Sequence, residues 1–293
     1  MRKNRGGDVI LSERMAAVLP LSFMKYLIVL LLVFSGQLAK SQELYVFTEP
    51  ASNMAAKSIG VRIDNLLVKD LHKGKNEYSY HLMPRLMWGV SKRIMLHLSV
   101  YASNMDGKFV PNGVSIYAKY RFFSKDAVHS HFRIAAFGQY SLVNSYIHEY
   151  SINLDGHNSG YELGLIATQL RNKMAFSASA SFAHARDNAD EKFLFGNKLR
   201  NAFNYSASVG KLMLPKEYTS YKQTNLNLMI EFLGQYNIHN GFTWLDIAPA
   251  VQLIFNSRMR LDMGYRYPLV KKLQRYSSEG VLVRLEYNFF NVY

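Results

Sequence analysis

The sequence predicts an all-β fold: a transmembrane antiparallel up-and-down β-barrel of about twelve strands, preceded by a cleavable signal peptide. Three observations support this prediction. Segments of about ten residues alternate apolar and polar side chains from residue 58 onward, a short apolar run lies near the N-terminus, and aromatic residues gather near the ends of the alternating segments. The 293 residues include 20 Tyr and 18 Phe but no Cys, which excludes disulfide scaffolds and Cys-ligated metal sites.

Residues 1–41 carry the features of an export signal. Residues 26–34 read YLIVLLLVF, nine apolar residues without a charge, and Lys25 flanks them on the N-terminal side. A membrane-spanning helix needs roughly 20 apolar residues and a signal-peptide core roughly 7–15, so the run fits the second. Small residues before Gln42 predict cleavage after Ser41, and Met24 offers an alternative start of the chain. A buried helix or a retained anchor is the alternative interpretation.

Export changes the meaning of the basic charge. The net charge is +14, from 35 Lys and Arg against 21 Asp and Glu. Residues 1–41 hold six basic and two acidic residues, so cleavage removes +4 from +14 and leaves +10. Because an exported chain does not meet genomic DNA, we predict no nucleic-acid partner.

The clearest alternation is MRLDMGYRYPL, at residues 259–269. Met259 and Leu261 lie on one face, while Arg260 and Asp262 lie on the other. A period of two over this length indicates a strand, and single-chain outer-membrane barrels use an even number of strands. Twelve such segments are centred near Val61, Leu82, Leu98, Ala118, Ala136, Leu165, Ser179, Ala207, Ile230, Ala250, Met263 and Leu285.

The strands divide the chain into three parts. Residues 1–41 are the predicted signal peptide, residues 42–57 a periplasmic N-terminal segment or small plug, and residues 58–293 the barrel. The middle part contains Phe47 and Pro50 but shows no alternation. Both interpretations of it stay open, and we favour the periplasmic lead-in.

The lengths of the connections provide a test of the strand count. If the first strand runs outward, links from even to odd strands lie on the periplasmic side and are short. The three tightest turns, at residues 91–93, 171–173 and 256–258, have this parity. The longer links are two on the periplasmic side, near residues 124–131 and 213–224, and two predicted outer loops, near 143–157 and 185–201.

Aromatic residues near the strand ends, on the apolar face, match the girdles of a membrane barrel. They are Tyr78, Tyr80, Trp88, Tyr120, Phe122, Tyr161, Tyr236, Phe255, Tyr265, Tyr267, Tyr287 and Phe289. A soluble β-sandwich that shows its charged face to water is the alternative. The signal peptide, the aromatic residues, the turn parity and the C-terminus together favour the membrane barrel.

The opposite strand faces carry charges of both signs, which predicts a polar lumen. The residues predicted to line it are Arg62, Asp64, Arg85, Lys119, Arg121, Arg133, Glu162, Glu231, Asp246, Arg260, Asp262, Arg266, Arg284 and Glu286. Eight are basic and six acidic, a slight excess that hints at anionic solutes. Internal salt bridges are the simpler use of so balanced a set.

The C-terminal residues 285–293, LEYNFFNVY, end in an aromatic residue, as the last strand of outer-membrane barrels commonly does. Together with residues 245–269, LDIAPAVQLIFNSRMRLDMGYRYPL, they resemble outer-membrane β-barrel proteins of Bacteroidota. The second stretch is also weakly similar to the phenol meta-degradation-pathway barrel family, whose members are assumed to be transporters. The resemblance implies a Gram-negative outer-membrane location and contact with its lipid. It also implies that the barrel-assembly machinery reads Tyr287, Phe289 and Tyr293, although Asn291 interrupts their face.

Three functions remain open. A channel or transporter for a small solute is the one we favour, because it needs only the barrel and its polar lumen. A lipid hydrolase needs a Ser beside a His and a group that orients the His, and His157, Ser159 and Glu162 are its candidates. A structural or adhesive barrel would act through its outer loops, with a plugged lumen.

We predict neither a metal nor a cofactor. The nine His lack the convergent spacing of metal ligands, and no phosphate-binding motif is present. His81 and His97 fall on the predicted lumen faces of adjacent strands, where we expect a hydrogen-bonded pair.

Overall fold

The computed structural model describes residues 45–293 except 73–74, 106, 148, 190–198, 218–219, 221, 274 and 276; residues 70–77 and 277 are described at most by their backbone. The predicted signal peptide, residues 1–41, lies outside the described residues. Among those described, no helix is long and apolar enough to cross a membrane.

Twelve antiparallel strands form one closed barrel, which confirms the predicted fold class. They are β1 (Ser58–His72), β2 (Lys75–Gly89), β3 (Ile94–Ser103), β4 (Val110–Ala127), β5 (Ser130–Val143), β6 (Gly160–Arg171), β7 (Met174–Ala185), β8 (Asn201–Leu214), β9 (Asn225–Asn237), β10 (Thr243–Phe255), β11 (Met259–Lys271) and β12 (Ser277–Phe290). Each strand pairs with its neighbours in sequence, and β12 pairs with β1 to close the ring. Every predicted centre lies within its own strand.

The connections at the end of the barrel where β1 starts are mostly tight turns. Residues 90–93, 172–173 and 256–258 make three of them, as predicted. Asn172 and Asn256 have positive φ angles of 54° and 52°, a left-handed conformation that Asn tolerates in hairpin turns. This residue choice explains why these links can be so short.

One predicted link at this end is wrong. Residues 124–131 do not form a longer connection, because β4 and β5 remain paired down to Ala127 and Ser130 and only two residues join them. The alternation is obscured there by a register shift between Arg121 and Phe123, which moves side chains off the simple period of two.

The barrel has its charges inside and its apolar side chains outside. On β1, Arg62 is 1% exposed, whereas its neighbours Val61 and Ile63 are 41% and 37% exposed. A soluble protein hides its apolar faces, and a large exposed apolar surface is stable only when lipid or a partner covers it. The distribution therefore fits a barrel that spans a membrane and excludes a β-sandwich with an apolar core.

The aromatic residues predicted to form girdles lie on this outer surface. None of the twelve is buried, and the most exposed are Tyr78, Tyr120, Phe122, Tyr161, Tyr236, Tyr265 and Tyr267. Amphipathic rings at these positions suit the boundary between lipid and water.

Candidate functional site in the barrel lumen

Residues 45–54, which precede β1, lie inside the barrel; we call them the inner segment. Glu231 on β9 accepts hydrogen bonds from the backbone N–H groups of residues 46–48, at 2.7, 3.0 and 2.8 Å. The hydroxyl of Thr48 donates to the same carboxylate over 2.7 Å. The periplasmic lead-in that we favoured from the sequence therefore does not describe this part of the chain.

Further hydrogen bonds follow the inner segment from end to end. They join Arg260 Nη2 to the Tyr45 carbonyl (2.7 Å), Lys119 Nζ to the Pro50 carbonyl (2.8 Å), the Ala51 N–H to Thr168 Oγ1 (2.9 Å) and Arg133 Nη1 to Ser52 Oγ (2.8 Å). The partners stand on β11, β4, β6 and β5, so the segment crosses the lumen instead of following one wall.

The charged centre of the inner segment is Glu49. Its carboxylate lies 3.0 Å from Arg62, 3.5 Å from Lys119 and 3.7 Å from Arg85. Burial alone would raise the pKa of Glu49, but the nearby ammonium of Lys119 and guanidinium of Arg62 outweigh it and hold the pKa well below 4.5. Glu49 is therefore an anion that neutralises part of the basic lumen wall.

All fourteen predicted lumen residues are buried or half-buried in the structure. Nine are buried: Arg62, Asp64, Lys119, Glu231, Asp246, Arg260, Asp262, Arg284 and Glu286. Five are half-buried: Arg85, Arg121, Arg133, Glu162 and Arg266. Many opposite charges pair. Arg62 with Glu286 at 2.8 Å, Arg284 with Asp64, and Arg266 with Asp246 pair across neighbouring strands, and Arg260 pairs with Asp262 at 2.6 Å along β11. Most of these charges therefore serve internal salt bridges, and Glu49 offsets part of the positive excess that hinted at anionic solutes.

The loop between β5 and β6, residues 144–159, folds into the opposite mouth of the barrel; we call it the inward loop. Gln235 on β9 accepts the N–H of Ile152 at 2.9 Å and donates to its carbonyl at 2.7 Å. Tyr101 and Gln139 each donate to Asp155 over 3.0 Å. The sequence predicted the position of this loop but not its direction.

A cavity of about 350 Å³ remains between the inner segment and the inward loop; we call it the chamber. Residues 46–49 lie at its floor and residues 149–157 at its roof. One wall carries a stack of rings, His97 on Tyr117 at 4.9 Å and Tyr117 on Phe137 at 5.6 Å between centroids. The adjoining wall, on β6–β8, carries hydroxyl, carboxamide and carboxylate groups, including Ser179, Ser181, Ser206, Asn204 and Glu162.

The sequence analysis missed the uncharged residues of the chamber. Tyr117 lies two positions before Lys119, and Phe137 lies four positions after Arg133, so each has the strand phase of a predicted lumen charge. If every residue with the strand phase of a lumen charge is assigned to the inner face, and not only the charged ones, Tyr117 and Phe137 are predicted to line the lumen.

The three candidates for a hydrolase do not form a catalytic group. The hydroxyl of Ser159 donates to the carbonyl of Val143 (3.1 Å) and accepts its N–H (2.8 Å). His157 faces Glu149 at 3.4 Å, and Glu162 bonds to side chains of β7 and β8. Ser159 therefore joins the two ends of the inward loop.

The expected histidine pair is also not formed. His81 contacts Ser79 at 2.9 Å and stacks on His157 at 5.3 Å, whereas His97 stacks on Tyr117. Within the part of the chain that the structure describes, no group of three or more acidic or histidine side chains is placed to hold a metal ion.

The residues of the predicted assembly signal lie where the barrel closes. The rings of Tyr287 and Phe289 are 4.8 Å apart on β12. Tyr293 follows the end of β12, and its hydroxyl donates to the carbonyl of Gly89 at 3.1 Å. Recognition of these residues during assembly stays a prediction.

A scan against protein-family models and a search of the curated proteins gave no match. Among solved structures, an outer-membrane channel from Pseudomonas putida F1 aligns with a TM-score of 0.54 at 13% identity, over 84% of this chain and 100% of that one. The KdgM porin and the NanC porin align with TM-scores of 0.45 and 0.44, each at 11% identity over 78% of this chain and 98% of theirs. At these identities the likeness to the Pseudomonas channel supports the barrel fold alone.

Proposed function

We propose that the protein is a channel or transporter of the bacterial outer membrane that passes a small solute through its lumen. The chamber is the observation that supports this proposal most strongly. A barrel that serves only as a scaffold gains stability by filling its interior, because empty space forfeits packing contacts. Here about 350 Å³ stays open between the inner segment and the inward loop, and polar groups line it.

The inner segment is the gate of this channel. Hydrogen bonds and ion pairs hold it beside the apolar contacts of residues such as Val46, and they include those of Glu231 with residues 46–48 and of Glu49 with Arg62. Water and lumen side chains can replace such contacts when the segment leaves, so its release costs far less than opening the strand ladder. Because residues 55–57 connect it to β1, the segment stays tethered when it is displaced.

A second candidate is a structural or adhesive barrel that acts through its outer loops. The occupied lumen favours it, since such a barrel needs no open path. The two candidates differ in one respect: the lumen of a channel opens and that of a scaffold does not. The hydrolase has no such support, because the hydroxyl of Ser159 is engaged by Val143.

Conductance in planar bilayers separates the two. The refolded chain without residues 1–41 is compared in KCl with a variant in which a Gly-Ser sequence of equal length replaces residues 45–54. We expect rare openings from the natural sequence and a steady, severalfold larger current from the variant. A Thr48→Ser variant keeps the hydroxyl contacts and serves as the matched control. Absence of current from every variant at all voltages would leave the scaffold as the function.

The biogenesis of the barrel follows from the same proposal. We propose that residues 1–41 direct export, that outer-membrane lipid covers the apolar exterior, and that the assembly machinery binds Tyr287, Phe289 and Tyr293. The kinship to Bacteroidota barrels and to the phenol-pathway family belongs to this proposal too. Expression of a Tyr293→Ala variant in a Gram-negative host tests the assembly signal, with a reduced yield of heat-modifiable barrel as the expected result and an unchanged yield as its refutation.

A further inference from the structure

We infer that the chamber binds a neutral carbohydrate of one or two sugar units. This inference rests on the proposed function, because it names the class of solute that the same chamber accepts. Four features of the chamber support it: an aromatic stack, a hydrogen-bonding belt beside the stack, two buried ring nitrogens that lack hydrogen-bond partners, and lining carboxylates that outnumber the arginines.

The aromatic stack consists of His97, Tyr117 and Phe137 on the adjacent strands β3, β4 and β5. Successive rings are stacked with their planes 22° and 26° apart, so they cover one another's faces and present their apolar edges to the chamber. Gly164 on β6 leaves room for the last ring, since a Cβ there would lie 2.7 Å from Phe137 Cε1. An apolar strip of ring edges packs against the C–H groups of a sugar ring.

The hydrogen-bonding belt consists of Gln139, Glu162 and the side chains that donate to Glu162. It lies one inward-facing residue pair closer to the inward loop than the rings do. Phe137 stands opposite Gly164 in the β5–β6 register, and Gln139 stands opposite Glu162. Among the described residues, the two side chains that donate to Glu162, the Ser181 hydroxyl and Asn204 Nδ2, both bind its Oε1 atom. Since a carboxylate accepts through both oxygens, Oε2 remains available for a hydroxyl of the ligand.

Two buried ring nitrogens complete the set. Among the described residues, His97 Nε2 and Trp244 Nε1 have no hydrogen-bond partner, and both side chains line the chamber. His97 is only 2% exposed. The Trp244 nitrogen donates, and the His97 nitrogen donates or accepts according to its tautomer. Because buried polar groups in folded proteins are normally paired, both nitrogens point to partners supplied by a ligand. Sugar hydroxyls act as donors and acceptors at once and satisfy both kinds of group.

The charges of the chamber disfavour an anionic ligand. Arg85 lies 3.7 Å from Glu49, and Arg284 pairs with Asp64. The remaining two arginines of the chamber, Arg266 and Arg275, share Asp246. Against these four arginines, five carboxylates line the chamber: Glu49, Asp64, Glu149, Asp155 and Glu162. An anion would have to displace a carboxylate from its guanidinium partner, which a neutral solute does not need to do. The volume of about 350 Å³ lies at the small end of ligand pockets and fits one or two sugar units.

Fluorescence of Trp244 provides a direct binding assay. The chain has two Trp, so a Trp88→Phe variant leaves Trp244 as the only one. This protein, without residues 1–41 and in detergent, is titrated with glucose, maltose, potassium gluconate and choline chloride. We expect a saturable change with glucose or maltose and none with gluconate or choline. Replacing Tyr117 by Leu should weaken binding about tenfold, whereas Tyr117→Phe keeps the ring and the affinity. Tyr120→Leu, on the outer face of the same strand, is the matched control.

The other outcomes overturn the inference in distinguishable ways. Choline binding that Glu162→Gln abolishes would identify an organic cation as the ligand, and a preference for gluconate over glucose would identify an anion. If no probe binds while KCl current persists in bilayers, the carbohydrate inference is wrong and the channel stands. If sugar binds but no current is ever recorded, the channel is wrong and the binding site stands. Should Tyr117→Leu fail to refold, the comparison of Tyr117→Phe with Glu162→Gln still decides between sugar and cation.

Discussion

Gly264 on β11, in the barrel wall, packs against the ring of Phe47 in the inner segment. A Cβ at position 264 would lie 2.5 Å from Phe47 Cε2 and 3.1 Å from Phe47 Cζ. Carbon atoms that are not bonded to each other do not approach within 2.5 Å, so only glycine at this position leaves room for the ring where it lies. The barrel wall therefore leaves a space that fits Phe47. This fit indicates that the inner segment belongs in the lumen.

The first prediction uses this contact. Gly264→Ala should push Phe47 out of place at a cost of about 1–3 kcal/mol, and the current in bilayers should rise several-fold. Gly210→Ala is the control, since its Cβ would lie 3.4 Å from Met229 and 3.7 Å from Tyr45, which are ordinary contacts. Equal currents from the two variants would show that the fit at Gly264 does not hold the segment.

The second prediction concerns Glu231, which accepts the N–H groups of residues 46–48. Glu231→Gln replaces one acceptor oxygen by an amide that cannot accept. Hydrogen bonds to charged groups contribute about 1.5–3 kcal/mol each, so amide hydrogen exchange at residues 46–48 should accelerate more than about tenfold. Ser208→Ala removes only a contact to the Thr48 hydroxyl and should change the exchange little. Unchanged protection in Glu231→Gln would contradict this role.

The third prediction is a pH dependence set by Glu49. The groups that face it are Lys119, Arg62, His97 and Arg85, and its pKa is lower when the segment is seated than in water. The ionised form therefore favours the seated state, fully above about pH 4.5 and progressively less as the pH falls through the lowered pKa. Open probability should stay constant from pH 7 to pH 5 and rise below that range. Glu49→Gln should abolish the rise, and a rise that survives this substitution would assign it to another group.

The fourth prediction concerns the inward loop. Gln235→Ala removes both hydrogen bonds to the backbone of Ile152 and leaves a buried N–H and C=O without partners, a cost of about 1–3 kcal/mol each. Limited proteolysis should then cut within residues 144–159 sooner. Gln252→Ala serves as the control, since Gln252 is equally buried but bonds to Asn227 instead. Equal cleavage rates would mean that the apolar contacts of the loop suffice.

The sequence predicts most of the barrel because strands obey a local rule. Each side chain two positions along a strand returns to the same face, so the charges of Arg260 and Asp262 mark the inward phase without knowledge of any partner. Closure follows from twelve such segments and short turns. A register shift, as near Arg121, breaks the period and misplaces a link.

The contents of the lumen follow no such rule. The inner segment is held by residues far along the chain, and Val46 and Glu231 are 185 positions apart. Neither this segment nor the inward loop has a periodic pattern that reveals where it packs, because irregular backbone is positioned by its partners. The aromatic stack is a different case, since Tyr117 and Phe137 have the inward phase and only their lack of charge concealed them.

A disulfide across the gate tests the central proposal most directly. Thr48 Oγ1 and Ser208 Oγ lie 3.0 Å apart, and the chain has no Cys of its own. In a Thr48→Cys, Ser208→Cys double variant, we expect oxidation to abolish the KCl current and dithiothreitol to restore it, while the Thr48→Cys single variant responds to neither. Equal currents in the oxidised and reduced protein, with the cross-link verified by mass spectrometry, would contradict the assignment of residues 45–54 as the gate.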